Sequence, residues 1–119
     1  MQAVNKTFGI QLESATETLK AIAHQTRLQI LEALTLGPQC VTDIEHLLPV
    51  SQVNVSQHLT VLRNAELVGF VQHGALRCYY LRKPDLVRDL LALLATKHDA
   101  VTKGKEEIIA EREHCLQAT

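Results

Sequence analysis

Amide, hydroxyl and arginine side chains follow one another on one face of a predicted helix between Ser51 and Glu66. At about 100° per residue, this face lies opposite an apolar stripe of Val55, Leu59 and Leu62. Amides pair with adenine edges, and an exposed valine can contact a thymine methyl group. The alternative is a polar surface helix. The residues predicted to face DNA are Gln52, Val53, Asn54, Ser56, Gln57 and Thr60, with Arg63 placed for phosphate.

Three cysteines are the other candidates for chemistry, at positions 40, 78 and 115. An odd number without a Cys-x-x-Cys pair argues against a disulfide framework and a four-cysteine zinc site. Cys40 begins a predicted helix, whose positive end favours thiolate chemistry, so it is the first candidate for a sensing residue. Cys78 lies in a predicted strand and is expected to pack as a small hydrophobe. Cys115, beside His114, is a reactive thiol, a soft-metal ligand or an incidental surface residue.

Helical periodicity supplies the elements that must position these side chains. A first helix is predicted over 12–23 and a second over 26–37, where a Gly-Pro pair ends it. Thr42 and Glu45 form a predicted capping box for a short third helix that reaches about residue 48. Ser51 is the predicted N-cap of the fourth helix, which carries the polar face described above.

Beyond Gly69 the pattern alternates on both sides of residues 73–75, which predicts a β-hairpin. Pro84 begins a leucine-rich fifth helix that runs through Leu94, and a further charged helix covers 105–116. Because the leucines of the fifth helix cover more than one face, we expect a second apolar contact there. Two short helices joined by a tight turn and followed by a hairpin predict a helix-turn-helix with a wing.

Composition sets limits on the class of protein. The chain has 119 residues, 46% of them hydrophobic and 21% charged, which predicts one soluble globular domain. It shows neither an apolar stretch long enough to span a bilayer nor a secretory signal, so we expect a cytoplasmic protein without a membrane partner. An aromatic content of only 3% disfavours base stacking on single strands.

Charge is unevenly distributed along the chain. The net charge is −1, but residues 51–83 carry +3 while the segments before and after them each carry −2. A basic segment in an acidic protein is what a DNA reader needs if only that segment meets phosphate. A solvated basic loop would have the same charge pattern.

Four segments resemble the ArsR/SmtB family of winged-helix metalloregulatory repressors. They are LKAIAHQTRLQILEAL (19–34), CVTDIEHLL (40–48), VSQVNVSQHLTVLRNAELV (50–68) and GALRCYYL (74–81). The most specific part is the run Ser-Gln-x-x-Val-Ser-Gln-His-Leu-x-x-Leu-Arg that starts at residue 51.

This resemblance implies a mostly α winged helix-turn-helix domain with a small β-hairpin, forming a homodimer through its N- and C-terminal helices and binding a palindromic operator in double-stranded DNA. By position, the fourth helix would face the major groove, and His73 and Arg77 of the wing the neighbouring minor groove. His58, at the edge of the buried stripe, is predicted to form a structural hydrogen bond. The implied organisation is a single domain over 1–119, a helix-turn-helix over 38–66, a wing over 68–82, and dimerisation helices over 1–24 and 84–116.

The usual metal sites of the family are not matched. In the family that the chain resembles, the thiolate site is built on a Cys-Val-Cys-Asp motif. This chain has Cys40-Val41-Thr42-Asp43 at that place, so one of the two thiolates is replaced by threonine. Asp85 and His98 lack the spaced partners of the family's other site. We therefore assign no metal site and no certain cofactor. A soft metal or metalloid ion, persulfide or disulfide chemistry at Cys40, Cys78 or Cys115 stays open, as does the absence of any inducer.

These observations predict a transcriptional repressor released from DNA by a metal, metalloid or thiol signal. Because the sequence has neither a nucleophile motif nor a glycine-rich phosphate loop, we do not expect an enzyme. The alternatives are a constitutive repressor and a winged-helix protein-interaction module that no longer reads DNA.

Overall fold

The computed structural model describes residues 8–49 and 51–118, which form six helices and three strands. The elements are α1 (Leu12–Ile22), α2 (Gln25–Leu34), β1 (Gln39–Cys40), α3 (Val41–Leu47), α4 (Gln52–Asn64), β2 (Val68–His73), β3 (Leu76–Leu81), α5 (Pro84–Ala95) and α6 (Lys105–Ala118). The arrangement of α3, α4 and the β2–β3 hairpin confirms the predicted winged helix-turn-helix. Part of the predicted dimerisation segment, residues 1–7, lies outside the described residues, as do Val50 and Thr119.

The wing belongs to a three-stranded antiparallel sheet in the order β1-β3-β2. In the β2–β3 pair Phe70 lies opposite Tyr79, and the turn contains Gly74 at φ +61°. The sequence pattern does not predict β1, because two residues are too few to show an alternation. This short strand pairs Cys40 with Cys78 and so attaches the segment before α3 to the wing.

The start of α3 differs from the prediction. Cys40 occupies the N-cap position, and its backbone amide and thiol donate hydrogen bonds to one carboxylate oxygen of Asp43, at 3.1 and 3.0 Å. The bond from the thiol, followed by that from the amide, lowers the pKa of Asp43. The predicted capping box of Thr42 and Glu45 is therefore wrong, because pairing in β1 holds Cys40 extended and the helix begins directly after it.

The core lies where α2, α3 and α4 meet the inner face of the sheet. Val55, Leu59 and Leu62 of α4 are fully buried, as predicted. On α1, however, only Ala21 and Ile22 are buried, so the N-terminal part of that helix contributes little to the core. The large, fully buried side chains elsewhere in the described residues are Ile30, Leu31, Ile44, Leu67, Val68 and Val87.

The end of α4 is closed by a left-handed residue that is not glycine. Glu66 has φ +62°, the Glu66 amide donates to the Arg63 carbonyl, and the Leu67 amide donates to the Leu62 carbonyl at 3.0 Å. These two bonds define a Schellman motif, and Leu62 and Leu67 supply its hydrophobic contact. The helix therefore ends at Asn64, two residues before the predicted boundary.

Three side chains connect α4 to the start of α2. Arg27 Nη1 donates to His58 Nδ1 at 3.1 Å, and the rings of His24 and His58 lie 4.4 Å apart. Arg27 Nε also donates to the Ala21 carbonyl near the end of α1. Burial, followed by the charges of His24 and Arg27, lowers the pKa of His58, so the neutral ring accepts from the guanidinium. The predicted structural hydrogen bond of His58 is confirmed.

The described residues form an elongated body with extents of 64 × 32 × 22 Å and a radius of gyration of 19.7 Å. A compact chain of this length would have a radius of about 13 Å. Part of the difference comes from α6, in which no residue is buried. Within residues 8–49 and 51–118, no helix is long and apolar enough to cross a membrane.

Replacing Glu66 by glycine is expected to raise the free energy of unfolding by about 1 kcal/mol, because glycine adopts a positive φ without the clash of a Cβ atom. Urea denaturation measures this change. Glu32→Gly on the exposed side of α2 is the matched control and should lower stability by about 1 kcal/mol. Shifts of the same sign in both variants would contradict the argument.

The pH dependence of stability should report His58. Since its pKa in the folded chain lies below the ordinary value of 6.5, the unfolded chain binds the proton better. The contribution of neutral His58 to the free energy of unfolding is thus complete above about pH 6.5, and it is lost as the pH falls through the folded pKa. His58→Asn keeps an acceptor for Arg27 without titrating, so thermal melts should show a flatter decline on acidification. His73→Asn, on the exposed wing turn, should decline like the parent; equal curves for all three proteins would refute the assignment.

Candidate nucleic-acid interface

The outer face of α4 presents polar and apolar side chains to solvent. Ser51 Oγ accepts a hydrogen bond from the Asn54 amide, which fixes the start of the helix. Val53 and Val61 are 64% and 39% exposed, whereas Val55 is fully buried. The predicted contact residues on this helix are all exposed: Gln52, Val53, Asn54, Ser56, Gln57, Thr60 and Arg63. The fold brings them to one surface, and their contact with DNA stays a prediction.

A groove of about 300 Å³ separates α4 from the wing. Gln52, Ser56 and Thr60 line its α4 side, Arg77 lines its wing side, and Thr42 lies at the start of α3. These side chains offer amide, hydroxyl and guanidinium donors, which are the groups that bind phosphate oxygens. Thr42 was not predicted as a site residue, because it joins the groove only when α3 packs beside α4.

One aromatic ring holds two of the predicted cations. The Arg77 guanidinium carbon lies 4.2 Å from the centre of the Phe70 ring, and that of Arg63 lies 5.2 Å from it. Phe70 is half-buried and packs beside Tyr79, with ring centres 5.4 Å apart. A cation over an aromatic face is attracted by the ring quadrupole, so Phe70 restricts both arginines. Sequence reasoning missed Phe70; its position in an alternating strand was the available signal.

The tip of the wing is exposed. His73 ends β2 next to the turn at Gly74, and the Gln72 side chain donates to the Gly74 carbonyl at 3.1 Å. His73 therefore lies at the tip of the hairpin, three residues beyond Phe70 in β2. A role for His73 in contacting DNA stays a prediction.

The basic segment keeps its charge available to solvent. Over residues 8–49 and 51–118, the two ion pairs join Lys97 with Asp99 and Lys103 with Glu111, outside the basic segment 51–83. Arg63 and Arg77 are both exposed. Two of the four cations of that segment, Arg63 and Arg77, thus lie beside α4 and the wing, whereas Lys83 lies near Glu13 and Glu17 of α1.

The three cysteines lie in different environments. Cys40 and Cys78 are half-buried and face each other across β1 and β3, whereas Cys115 is exposed on α6. In the part of the chain that the structure describes, no group of three metal-ligating side chains comes together. The structure therefore adds a pairing of two cysteines that the sequence does not reveal.

Comparison with known proteins identifies the same region. The sequence profile of a bacterial regulatory protein family, the arsR family, matches residues 24–69. The HTH-type transcriptional regulator Rv2034 of Mycobacterium tuberculosis is 45% identical over 62 residues, which are 52% of this chain and 58% of that protein. MJ1325 of Methanocaldococcus jannaschii, an uncharacterized HTH-type transcriptional regulator, is 35% identical over 69% of this chain and 92% of its own length.

A solved structure agrees with these sequence matches. HlyU from Vibrio cholerae superposes with a TM-score of 0.66 at 31% identity, covering 71% of this chain and 96% of HlyU. The profile match covers α2, α3 and α4, the helices that build the core and present the exposed face. Both relatives are transcription regulators, which confirms the prediction that the protein is not an enzyme. The chain therefore belongs to the ArsR/SmtB family of DNA-binding, winged helix-turn-helix transcription regulators.

Proposed function

We propose that this protein is a homodimeric repressor that reads a palindromic operator with α4, contacts the flanking backbone with its wing, and is released by a metal, metalloid or thiol signal in the cytoplasm. The observation that carries the proposal is the outer face of α4, where exposed valine and amide side chains stand beside a donor-lined groove.

Base reading is assigned to the α4 face. Gln57 and Asn54 have the amide donors and acceptors that pair with adenine in the major groove. Val53, 64% exposed, is costly to leave in water and fits against a thymine methyl group. This combination supports a helix that enters the major groove and discriminates among base pairs.

Phosphate binding is assigned to the groove and the two arginines. Arg63 and Arg77 are preorganised on Phe70, so less side-chain entropy is lost when they bind. The hydroxyls of Thr42 and Ser56 add neutral donors beside them. Such contacts give affinity and register but carry no base sequence, and their contribution falls as salt rises.

Dimerisation is assigned to α1 and α5. Leu12 and Leu19 on α1 are 73% and 58% exposed, and Leu86 and Leu93 on α5 are 43% and 58% exposed. Each pair is seven residues apart, a spacing that keeps both side chains on one face of a helix. A second copy of the chain would cover these leucines and place two α4 helices about one turn of DNA apart.

Substitution of Gln57 separates base reading from general affinity. Gln57→Ala should weaken binding to the operator by about 1–3 kcal/mol and leave binding to a random duplex nearly unchanged. Arg77→Ala should weaken binding to both and reduce the salt dependence. Fluorescence anisotropy on DNA from upstream of the protein's own gene measures each value. Gln117→Ala on α6 is the control and should match the parent; equal losses of Gln57→Ala on both duplexes would contradict base reading.

Substitution of Leu93 tests the dimer. Leu93→Glu should convert the protein to a monomer in analytical ultracentrifugation and abolish operator binding, because a charge at this position cannot be buried between two copies. Leu90 and Leu91 are unsuitable, since they pack against the core.

Leu36→Glu provides the matched control. Leu36 is 80% exposed in the loop after α2 and does not belong to the leucine pairs of α1 and α5 assigned to the interface, so this variant should stay dimeric. A Leu93→Glu monomer that kept full operator affinity would contradict the dimer proposal, as would loss of the dimer in Leu36→Glu alone.

A further inference from the structure

Two cysteines from distant parts of the sequence are paired in the sheet. The register of β1 against β3 sets Cys40 directly opposite Cys78. Directly opposed residues in antiparallel strands have Cα atoms about 4.5–5.5 Å apart, within the range of about 4.4–6.8 Å seen in disulfides. The backbone is therefore positioned for a bond between the two sulfur atoms.

Both thiols lie on the same side of this sheet. Tyr79, next to Cys78, is 5% exposed in the core, and Gln39, next to Cys40, donates from its side chain to the Ala33 carbonyl at 2.6 Å. Because alternate residues of a strand point to opposite faces, Cys40 and Cys78 share the outer face. Both remain half-buried, so a small oxidant can reach them.

We propose that Cys40 and Cys78 form a modification site, a dithiol that hydrogen peroxide oxidises to an intramolecular disulfide and that a thiol reductant restores. One thiolate attacks a peroxide oxygen, the O–O bond breaks, and hydroxide leaves to become water. The resulting sulfenic acid is attacked by the second sulfur, the S–O bond breaks, and a second water leaves with the remaining proton. The two sulfurs lose two electrons in total, and hydrogen peroxide gains them.

The hydrogen bonds of Cys40 change when this bond forms. The thiol now donates to the Asp43 carboxylate, and a disulfide sulfur has no proton to donate. The backbone amide of Cys40 keeps its own bond to Asp43, so α3 retains half of its cap. Oxidation thus removes one contact at the start of the first helix of the helix-turn-helix and adds a covalent link to the wing.

The link would act on the candidate DNA surface, a consequence that rests on the proposed function. Cys40 and Arg77 both line the groove, and Arg77 directly precedes Cys78. Opposed Cβ atoms are about 4.5–5.5 Å apart, whereas a disulfide needs about 3.8 Å, so the start of α3 and the wing must approach by about 0.7–1.7 Å. We expect the disulfide to weaken operator binding several-fold, because it shifts the start of α3 relative to β3, and Thr42 and Arg77 of these two segments both line the groove.

Peptide mapping tests the site without reference to DNA. Trypsin places Cys40 in peptide 28–63, Cys78 in 78–82 and Cys115 in 113–119, so each possible disulfide gives a distinct linked mass. Full-length protein treated with hydrogen peroxide should yield 28–63 linked to 78–82, and dithiothreitol should separate them. Cys115→Ser should retain this link and Cys78→Ser should lose it. Links through Cys115 alone, or sulfinic acid at Cys40 with an intact Cys78 thiol, would overturn the proposal.

Folding controls keep the result interpretable. Cys40→Ser retains a hydroxyl that can donate to Asp43, and it should also lose the link while keeping the circular dichroism spectrum of the parent. If Cys78→Ser is unfolded, the Cys40→Ser variant alone decides: persistence of peroxide-induced disulfide within that chain, between Cys78 and Cys115, overturns the proposed pairing.

Anisotropy on the Cys115→Ser protein tests the consequence for DNA. The oxidised form should bind the operator several-fold more weakly than the reduced form, and Cys78→Ser should show no such difference. Linked protein that binds as tightly as reduced protein would overturn the regulatory role. Reduced protein that binds no DNA would overturn the proposed function instead, and the peptide map would still decide the disulfide.

Discussion

Burial of the apolar stripe on α4 is the constraint on which the candidate interface depends. Val55, Leu59 and Leu62 have no exposed surface, and burying each contributes about 1.5–3 kcal/mol. Because the helix is a rigid element with a fixed period, this inner contact sets the rotation of the whole helix. Val53 and Gln57 consequently face away from the core, and their exposure follows from the burial of the other side.

The sheet couples the position of the wing to the position of α4. Phe70 packs beside Tyr79, which is buried against the helices, and at the same time it lies under the guanidinium groups of Arg63 and Arg77. A cation from α4 and a cation from β3 are thereby held by one ring. The relative position of helix and wing is thus fixed by packing, and a binding partner meets donors that are already placed.

The described residues combine a well-packed core with exposed leucines on α1 and α5. Around α2–α4 the buried side chains are apolar, and no buried side-chain nitrogen or oxygen within the described residues lacks a hydrogen bond. On α1 and α5, by contrast, leucines seven residues apart face solvent. Rows of exposed leucines are unfavourable in water and do not pack into the core of the domain. Burying them between two copies of the chain would therefore stabilise an association.

The sequence by itself determined the elements whose signals are local. The stripe on α4, its Ser51 cap, the hairpin turn and the Pro84 start of α5 each depend on residues within a few positions, and the structure has them all. Only the tertiary structure decided the pairing of Cys40 with Cys78, the cap of α3 by Cys40 and the bond between Arg27 and His58, 31 residues apart. Such contacts depend on the register and packing of segments remote in sequence. The periodicity within one segment does not indicate which other segment it contacts.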